Sequence, residues 1–310
     1  MDVLADYKEK IVCYGILNPS DSVHYIRVSK VFVGEGDALQ MAQVQDSIAL
    51  RPENTVAKIT RILNGIEMST WILSADSTIP REEGVFVNPH QVLYRGIFPV
   101  YVDGSTYRLS VTDLRTGFEV YSETQIVRDV IQTSPVSVWQ PLNFEDTTSI
   151  AFQFVTPTHG KRYELCIRFY YQEQFVSDTS QVSVKYVDWI VGQAQSFTTH
   201  GGENIRILVR RDNFFRVLAN NIEVNPLVRR VSGRLDFIYT SVSDDMATYM
   251  NVQVANESSS ADLPPFTNVT NGLGLFTSRN TTTIANFHID QDTQYALITS
   301  TVVQDLNFVR

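Results

Sequence analysis

The sequence predicts a mostly β protein of two domains. Residues 1–130 read as an immunoglobulin-like β-sandwich, and 131–310 as a larger β-rich domain with two or three short helices. Three observations carry this. Short runs rich in Val, Ile, Thr, Tyr and Phe recur along the chain, punctuated by Gly, Pro, Asn and Asp, the pattern of strands joined by turns. Long Ala/Leu/Glu/Lys runs, which helical proteins use, are missing. Hydrophobic residues make up 43% of the 310, enough for a core in each of the two domains this length allows.

In the first domain, 11–17 is a strand ended by the turn residues Asn18-Pro19-Ser20-Asp21. A second strand covers 22–33, with Ile26, Val28 and Phe32 on one side, and closes at Gly34-Glu35-Gly36. Asp37 is placed to cap one short helix over 37–45. Residues 56–73 form a hairpin, because Asn64-Gly65 is the preferred two-residue type I′ turn. That turn sets an expected register: Leu63 faces Ile66, Arg61 faces Met68, Ile59 faces Thr70 and Ala57 faces Ile72, with Trp71 opposite Lys58 on the less apolar face. A one-residue slip would swap the faces. Strands follow at 92–98, at 106–112 with Tyr107, Leu109 and Val111 inward, and at 118–123 with Phe118 and Val120 inward.

Residues 128–143, with Pro135 and Pro141, read as a connector. Beyond it, apolar residues alternate at Ile150/Phe152/Phe154, at Tyr163/Leu165/Ile167/Phe169 and at Val182/Val184/Tyr186, which marks three strands. Asp212 is expected to cap a helix with Phe214, Leu218 and Ile222 on one face, ended by Asn225-Pro226. A strand covers 234–242. Asp244 is expected to cap a helix carrying Met246, Tyr249 and Met250, and 256–265 is a polar loop. A strand over 283–289 and a short helix capped by Asp290 or Asp292 complete the chain.

The stretch 266–280, FTNVTNGLGLFTSRN, stands apart. Asn271-Gly272 and Gly274 permit a positive φ or a close backbone approach. Leu273, Leu275 and Phe276 demand burial, expected against the second domain, and Ser278-Arg279 follow. A phosphate-cradling loop is not supported: Pro264-Pro265 lies upstream, no strand leads directly in, and no GK[ST] follows. Asn271, Gly272, Gly274, Phe276 and Arg279 are therefore the candidate residues of a structural clasp or binding loop.

Chemistry-bearing patterns are sparse. His24, His90, His159, His200 and His288 are scattered without metal-ligand spacing. Asp290 and Asp292 open like a calcium loop, but Tyr295 stands where its glycine is required. There is no G-x-S-x-G elbow. We expect no metal, no cofactor and no catalytic set. Cys13 and Cys166 sit in apolar runs and are expected to be buried free thiols. The arginines at 206, 210, 211, 216, 229, 230 and 234 read as an ion-paired solvated face. Asn256, Asn268 and Asn280 begin glycosylation sequons by pattern. Trp71, Trp139 and Trp189 are expected in the core rather than on a sugar platform. A net charge of -9 argues against nucleic acid, whose phosphates require Lys and Arg. The start, MDVLADYKEK, reads as a cytoplasmic N-terminus or as a chain beginning after a removed leader.

Three segments together resemble a known family: VCYGILNPSDSVHYIRVSKVFVGEGDA, YRLSVTDLRTGFEVYSET and FTNVTNGLGLFTSRN. In that order they are similar to a family of uncharacterised extracytoplasmic surface lipoproteins of Bacteroidota. The resemblance implies an outer-membrane or cell-surface location, a lipid anchor on a cysteine ahead of the first domain, and a non-catalytic role beside transport or surface systems. The implied partner is an envelope protein or a glycan, with membrane contact only through the anchor. The family assigns no catalytic residues. Two alternatives remain: a fimbrillin-like filament subunit, polymerising through an exchanged strand, and a glycan-active or other hydrolase with no recognisable local motif.

Overall fold

The computed structural model describes residues 10–30, 50–80, 91–101, 103–136, 139–258 and 264–310. It is mostly β, with several sheets and, among the described residues, three α-helices. The chain divides into two compact units, each built from two separate pieces. The first joins 1–127 to 242–280, and the second joins 128–241 to 281–310. The chain first passes from one unit to the other between 127 and 128. Residues 242–280, however, return to the first unit instead of continuing the second.

The chain begins with β1 (Ile11–Leu17) and β2 (Val23–Lys30), then β3 (Thr55–Leu63), β4 (Ile66–Ile72), β5 (Ser74–Asp76), β6 (Leu93–Ile97), β7 (Thr106–Asp113) and β8 (Phe118–Gln125). Next come β9 (Ile131–Ser134), β10 (Ser149–Val155), β11 (Arg162–Phe175), β12 (Val182–Gln195) and β13 (Asn204–Arg210). Helix α1 (Asn213–Asn221), β14 (Val228–Val242), α2 (Asp244–Ser258), β15 (Leu273–Phe287), α3 (Gln291–Thr299) and β16 (Phe308–Val309) follow. The helix expected over 37–45 lies outside the described residues, as do 31–33 of the second strand.

The first unit is a β-sandwich. One sheet runs β4-β3-β7-β8. The other runs from the first half of β15 through β1 and β2 to β6 and β5. Ala57, Ile59, Tyr107, Leu109, Val111 and Val120 of one sheet share a core with Ile11, Cys13, Ile26, Val28, Tyr94 and Phe276 of the other. Asn64 and Gly65 both take positive φ, as a type I′ turn requires. Next to the turn the expected register holds, with Leu63 opposite Ile66 and Ile62 opposite Glu67. An irregularity between Arg61 and Ile62 then shifts it by one: Arg61 meets Ser69, and Ile59 meets Trp71. The bulge exchanges the faces of β4. Trp71 therefore turns toward the core and stacks on Phe98 at 4.6 Å, while Ile72 is exposed. Phe118, expected inward, is also exposed; Val120 two residues on is buried.

The second unit packs β13-β10-β9 against a sheet of β12, β11, β14 and the second half of β15, with β16 parallel to β14. Rings meet between the layers: Phe152 stands edge-on to Phe237 at 5.0 Å, and Phe154 lies 5.2 Å from Tyr239. The supposed connector thus contains a strand, β9. Helix α1 buries Phe214 and Leu218 as the spacing of four demands, and Ile222 just past its end is buried too; Phe214 stacks on Phe144 at 4.6 Å. Asp212 does not cap it. Its carboxylate pairs with Arg210 at 2.8 Å and lies 3.8 Å from Arg216. Asp290 does cap α3, accepting from the Thr293 amide at 2.8 Å. For α2 the capping side chain is Ser243, one residue ahead of the expected Asp244, with its hydroxyl 3.4 Å from the Met246 amide.

Candidate functional site

The glycine stretch is not a loop from 273 onward: it is the first half of β15, parallel to β1, with Cys13 opposite Gly274 and Gly15 opposite Phe276. Gly274 takes φ +110, and a Cβ built there would stand 2.0 Å from the Cys13 carbonyl oxygen. No L-residue combines that φ with that approach at low cost. Asn271 also sits at positive φ, +62, where asparagine is among the better-tolerated residues. Gly272 does not, but its would-be Cβ meets the Ile11 carbonyl at 2.7 Å.

Phe276 is fully buried, in the core of the first unit and not, as expected, against the second. Its ring has room because its strand neighbour is Gly15, where a Cβ would come within 3.2 Å of the ring and 2.3 Å of Ile26. Leu275 is buried on the opposite face, level with Tyr14, whose ring meets Tyr249 of α2 edge-on at 6.4 Å. Arg279 is exposed.

Sequence reasoning missed Asn268. Its side chain copies a strand: Oδ1 accepts from the Phe276 amide at 2.9 Å, and Nδ2 donates to the Phe276 carbonyl at 2.8 Å and to Asp245 at 2.7 Å. Nearby, the Ser278 hydroxyl donates to the Gln125 carbonyl at 2.6 Å, and the buried Ser243 and Thr277 hydroxyls bond each other. This is the fabric of a clasp: Asn268, Thr277 and Ser278 all bond within their own unit. Two sequons are occupied structurally. Asn268 is tied down on both amide atoms, and Asn280 is buried.

One edge of the clasp borders a cleft. Lys10, Ile11, Leu50, Asp113, Thr116, Phe118 and Asn271 line an open cavity of about 510 Å³. Ile11, Leu50 and Phe118 are its apolar residues. Asn271 donates to the Glu119 carbonyl at 3.4 Å through Nδ2, so its Oδ1 can face a ligand. Hydrogen bonds from Arg115 at 3.0 Å hold the Asp113 carboxyl below the usual carboxylate range. The cavity volume suits a small ligand or a few residues of a peptide.

The remaining residues singled out by sequence are dispersed. Arg230 and Arg234 are ion-paired, to Glu173 and Asp236. Trp189 is buried, Trp71 half-buried, and Trp139, expected in the core, is 90% exposed. Among the described residues no three His, Cys, Asp or Glu side chains gather into a metal-holding group. Phe308, in the C-terminal segment a strand-exchange filament would donate, is buried in the second unit's core beside β14.

Cys13 and Cys166 are unpaired; Cys13 is buried, while Cys166 is half-buried rather than fully enclosed. Burial pushes the Cys13 thiol up to about 12, and Cys166 up to about 11 by burial together with Asp188. The thiolate is the reactive form. Alkylation at neutral pH should therefore leave Cys13 untouched, label Cys166 slowly, and label both after denaturation without reductant. Rapid native labelling of Cys13 would contradict this packing.

No family model matches the chain, and no curated protein matches it. Among solved structures, trypsin-activated alpha-2-macroglobulin from Escherichia coli is similar over 76% of this chain, at 11% identity and a TM-score of 0.23. Escherichia coli alpha-2-macroglobulin activated by porcine elastase is similar over 91%, at 10% identity and a TM-score of 0.20. The chain spans 14% and 20% of the length of those proteins. Likeness at this level supports no statement about function.

Proposed function

We propose that the chain is a non-catalytic binding module of a bacterial cell envelope, and that it holds a protein or glycan partner at the cleft of the first unit. The observation that carries the binding reading is the cleft itself: an open, largely apolar cavity with an amide and a carboxylate at its wall. Such a combination of an apolar floor with a few fixed polar groups is what recognition of an amphipathic ligand requires. The envelope location rests on the three resembling segments. The filament reading is weakened by Phe308, which a donated strand would have to withdraw from the core.

The test is direct binding to glycan and peptide libraries, followed by titration of the best ligand. Phe118→Asp removes an apolar wall, and Asn271→Gly removes the amide while keeping the positive φ accessible. Each should weaken binding tenfold or more, about 1.4 kcal/mol, with an unchanged melting temperature. Wild-type affinity in both variants, or no ligand at all from either library, would remove the cleft from consideration. Fractionation and acyl-chain labelling in the native host test the envelope location separately.

A further inference from the structure

Strand β12 ends the order of its sheet: among the described residues it pairs only with β11. Its outer stretch, 182–190, is exposed throughout 182–186 and alternates between buried and exposed from Tyr186 to Ile190. Val187 and Trp189 are buried, while Val182, Val184, Tyr186 and Ile190 are 51%, 65%, 54% and 62% exposed, with exposed Asp188 in the same row. The register irregularity with β11 lies at 191, beyond this stretch, so the edge up to Ile190 is unbroken. Proteins ordinarily guard such an edge with proline, a bulge or free lysines. This one has no proline, and its Lys185 is held by Glu173. We propose that β12 pairs antiparallel with β12 of a second copy of this chain, about a two-fold axis at Val187.

Among axes through the middle of the stretch, 185 to 188, the pattern of charge favours a second copy in one register. A two-fold axis normal to the sheet keeps each side chain on its own face, so only residues of one row can stand opposite each other. An axis at Lys185 sets lysine against lysine, and one at Asp188 sets aspartate against aspartate; both are unfavourable. An axis at Tyr186 sets Val184 against Asp188. An axis at Val187 sets Val184 against Ile190 of the second copy, and Tyr186 against Asp188. There the phenol can donate to a carboxylate that already accepts two bonds from Arg168, at 2.6 and 2.8 Å. Arg168 also lies over the Tyr186 ring, 4.1 Å from its centre, which orients the ring within the exposed row. The apolar pair and the polar pair of the row each then form twice by symmetry. This pairing uses the second unit alone and is independent of the cleft.

The test is sedimentation or light scattering of the wild-type chain over a concentration series from low to high micromolar. We expect a two-chain mass at the upper end. Val184→Lys, at the most exposed position of the row, should give a single-chain mass with an unchanged melting temperature. Val184→Lys with Ile190→Glu should restore the two-chain species and make it weaken with salt, since the new charges stand opposite each other in this register. Hydrogen exchange on the unmodified protein gives a second reading: amides at 182–190 should slow as concentration rises. A single-chain mass throughout, a dimer indifferent to Val184→Lys, or exchange at 182–190 that ignores concentration would each overturn the pairing.

Discussion

Gly274→Val should unfold the first unit under conditions where the wild type is stable. Two costs add. Holding an L-residue at φ +110 costs on the order of 1–3 kcal/mol. The new Cβ would also stand 2.0 Å from the Cys13 carbonyl oxygen, 2.8 Å from its carbon and 3.0 Å from its nitrogen. These are backbone atoms of a strand paired on both sides, so β1 cannot retreat without loosening its ladders to β2 and β15. Overpacking of that kind costs a further 1–3 kcal/mol or so, for a total of about 2–6 kcal/mol. Gly65→Ala is the control. Gly65 also has positive φ, +78, but nothing lies within 4 Å of its would-be Cβ. It should lose only the strain, roughly 1 kcal/mol. Urea unfolding of the three proteins measures the difference, and equal losses in the two variants would show that close approach at Gly274 contributes nothing.

Arg230→Ala should be as damaging in the second unit. The guanidinium is buried and each of its three nitrogens donates: to Glu173 at 2.9 Å, to the Leu306 carbonyl at 2.6 Å and to the Glu223 carbonyl at 2.9 Å. It thus joins β14 to β11, to the segment after α1 and to the chain just before β16. Removing one member of a buried ion pair costs roughly 3–5 kcal/mol, mostly because the remaining charge and carbonyls are stranded. Lys185 still neutralises Glu173, which places the expectation near the lower end. Acid should mimic part of the loss. Burial pushes the Glu173 carboxyl up, but hydrogen bonds from Lys185 and Arg230 outweigh it, so the group titrates below an ordinary glutamate. A carboxyl depressed on folding stabilises the protein above its unfolded pKa, about 4. That contribution fades as pH falls toward the folded value. The variant should therefore show a shallower acid dependence than the wild type. A variant with wild-type urea midpoint would mean the network is replaceable by water.

Much of the fold was legible because it is local. Asn64-Gly65 has one preferred turn, alternation at 107–111 and 163–169 has one buried face, and Phe214/Leu218/Ile222 has one helical face. The errors arose where a distant or irregular feature decides. A bulge adds a residue without a compositional mark, so the far end of the 55–72 hairpin was read on the wrong face. Asp212 matched a cap by position, but two arginines compete for its carboxylate. The row at 182–186 alternates like a core strand, yet it ends a sheet and faces out. In the glycine stretch the need for positive φ and burial was readable from Gly274 and Phe276. Their partner was not, because a parallel neighbour about 260 residues earlier leaves no periodicity nearby. Of the candidate site, only Asn271 was visible in sequence; the cleft's other walls meet through folding.

The parallel pairing of β1 with β15 also bears on how the chain is made. Residues 12–17 wait for 273–278, so the roughly 260 residues between the two strands must be synthesised before the first sandwich closes. At about 5–20 residues per second that is a delay of many seconds. During it β1 offers an unpaired side to whatever is near. The second unit waits as well, since its strand and helix at 281–310 are made only after 242–280 of the first unit. Neither unit can therefore fold to completion in order of emergence, and the nascent chain has reason to depend on a holding chaperone until these late segments emerge.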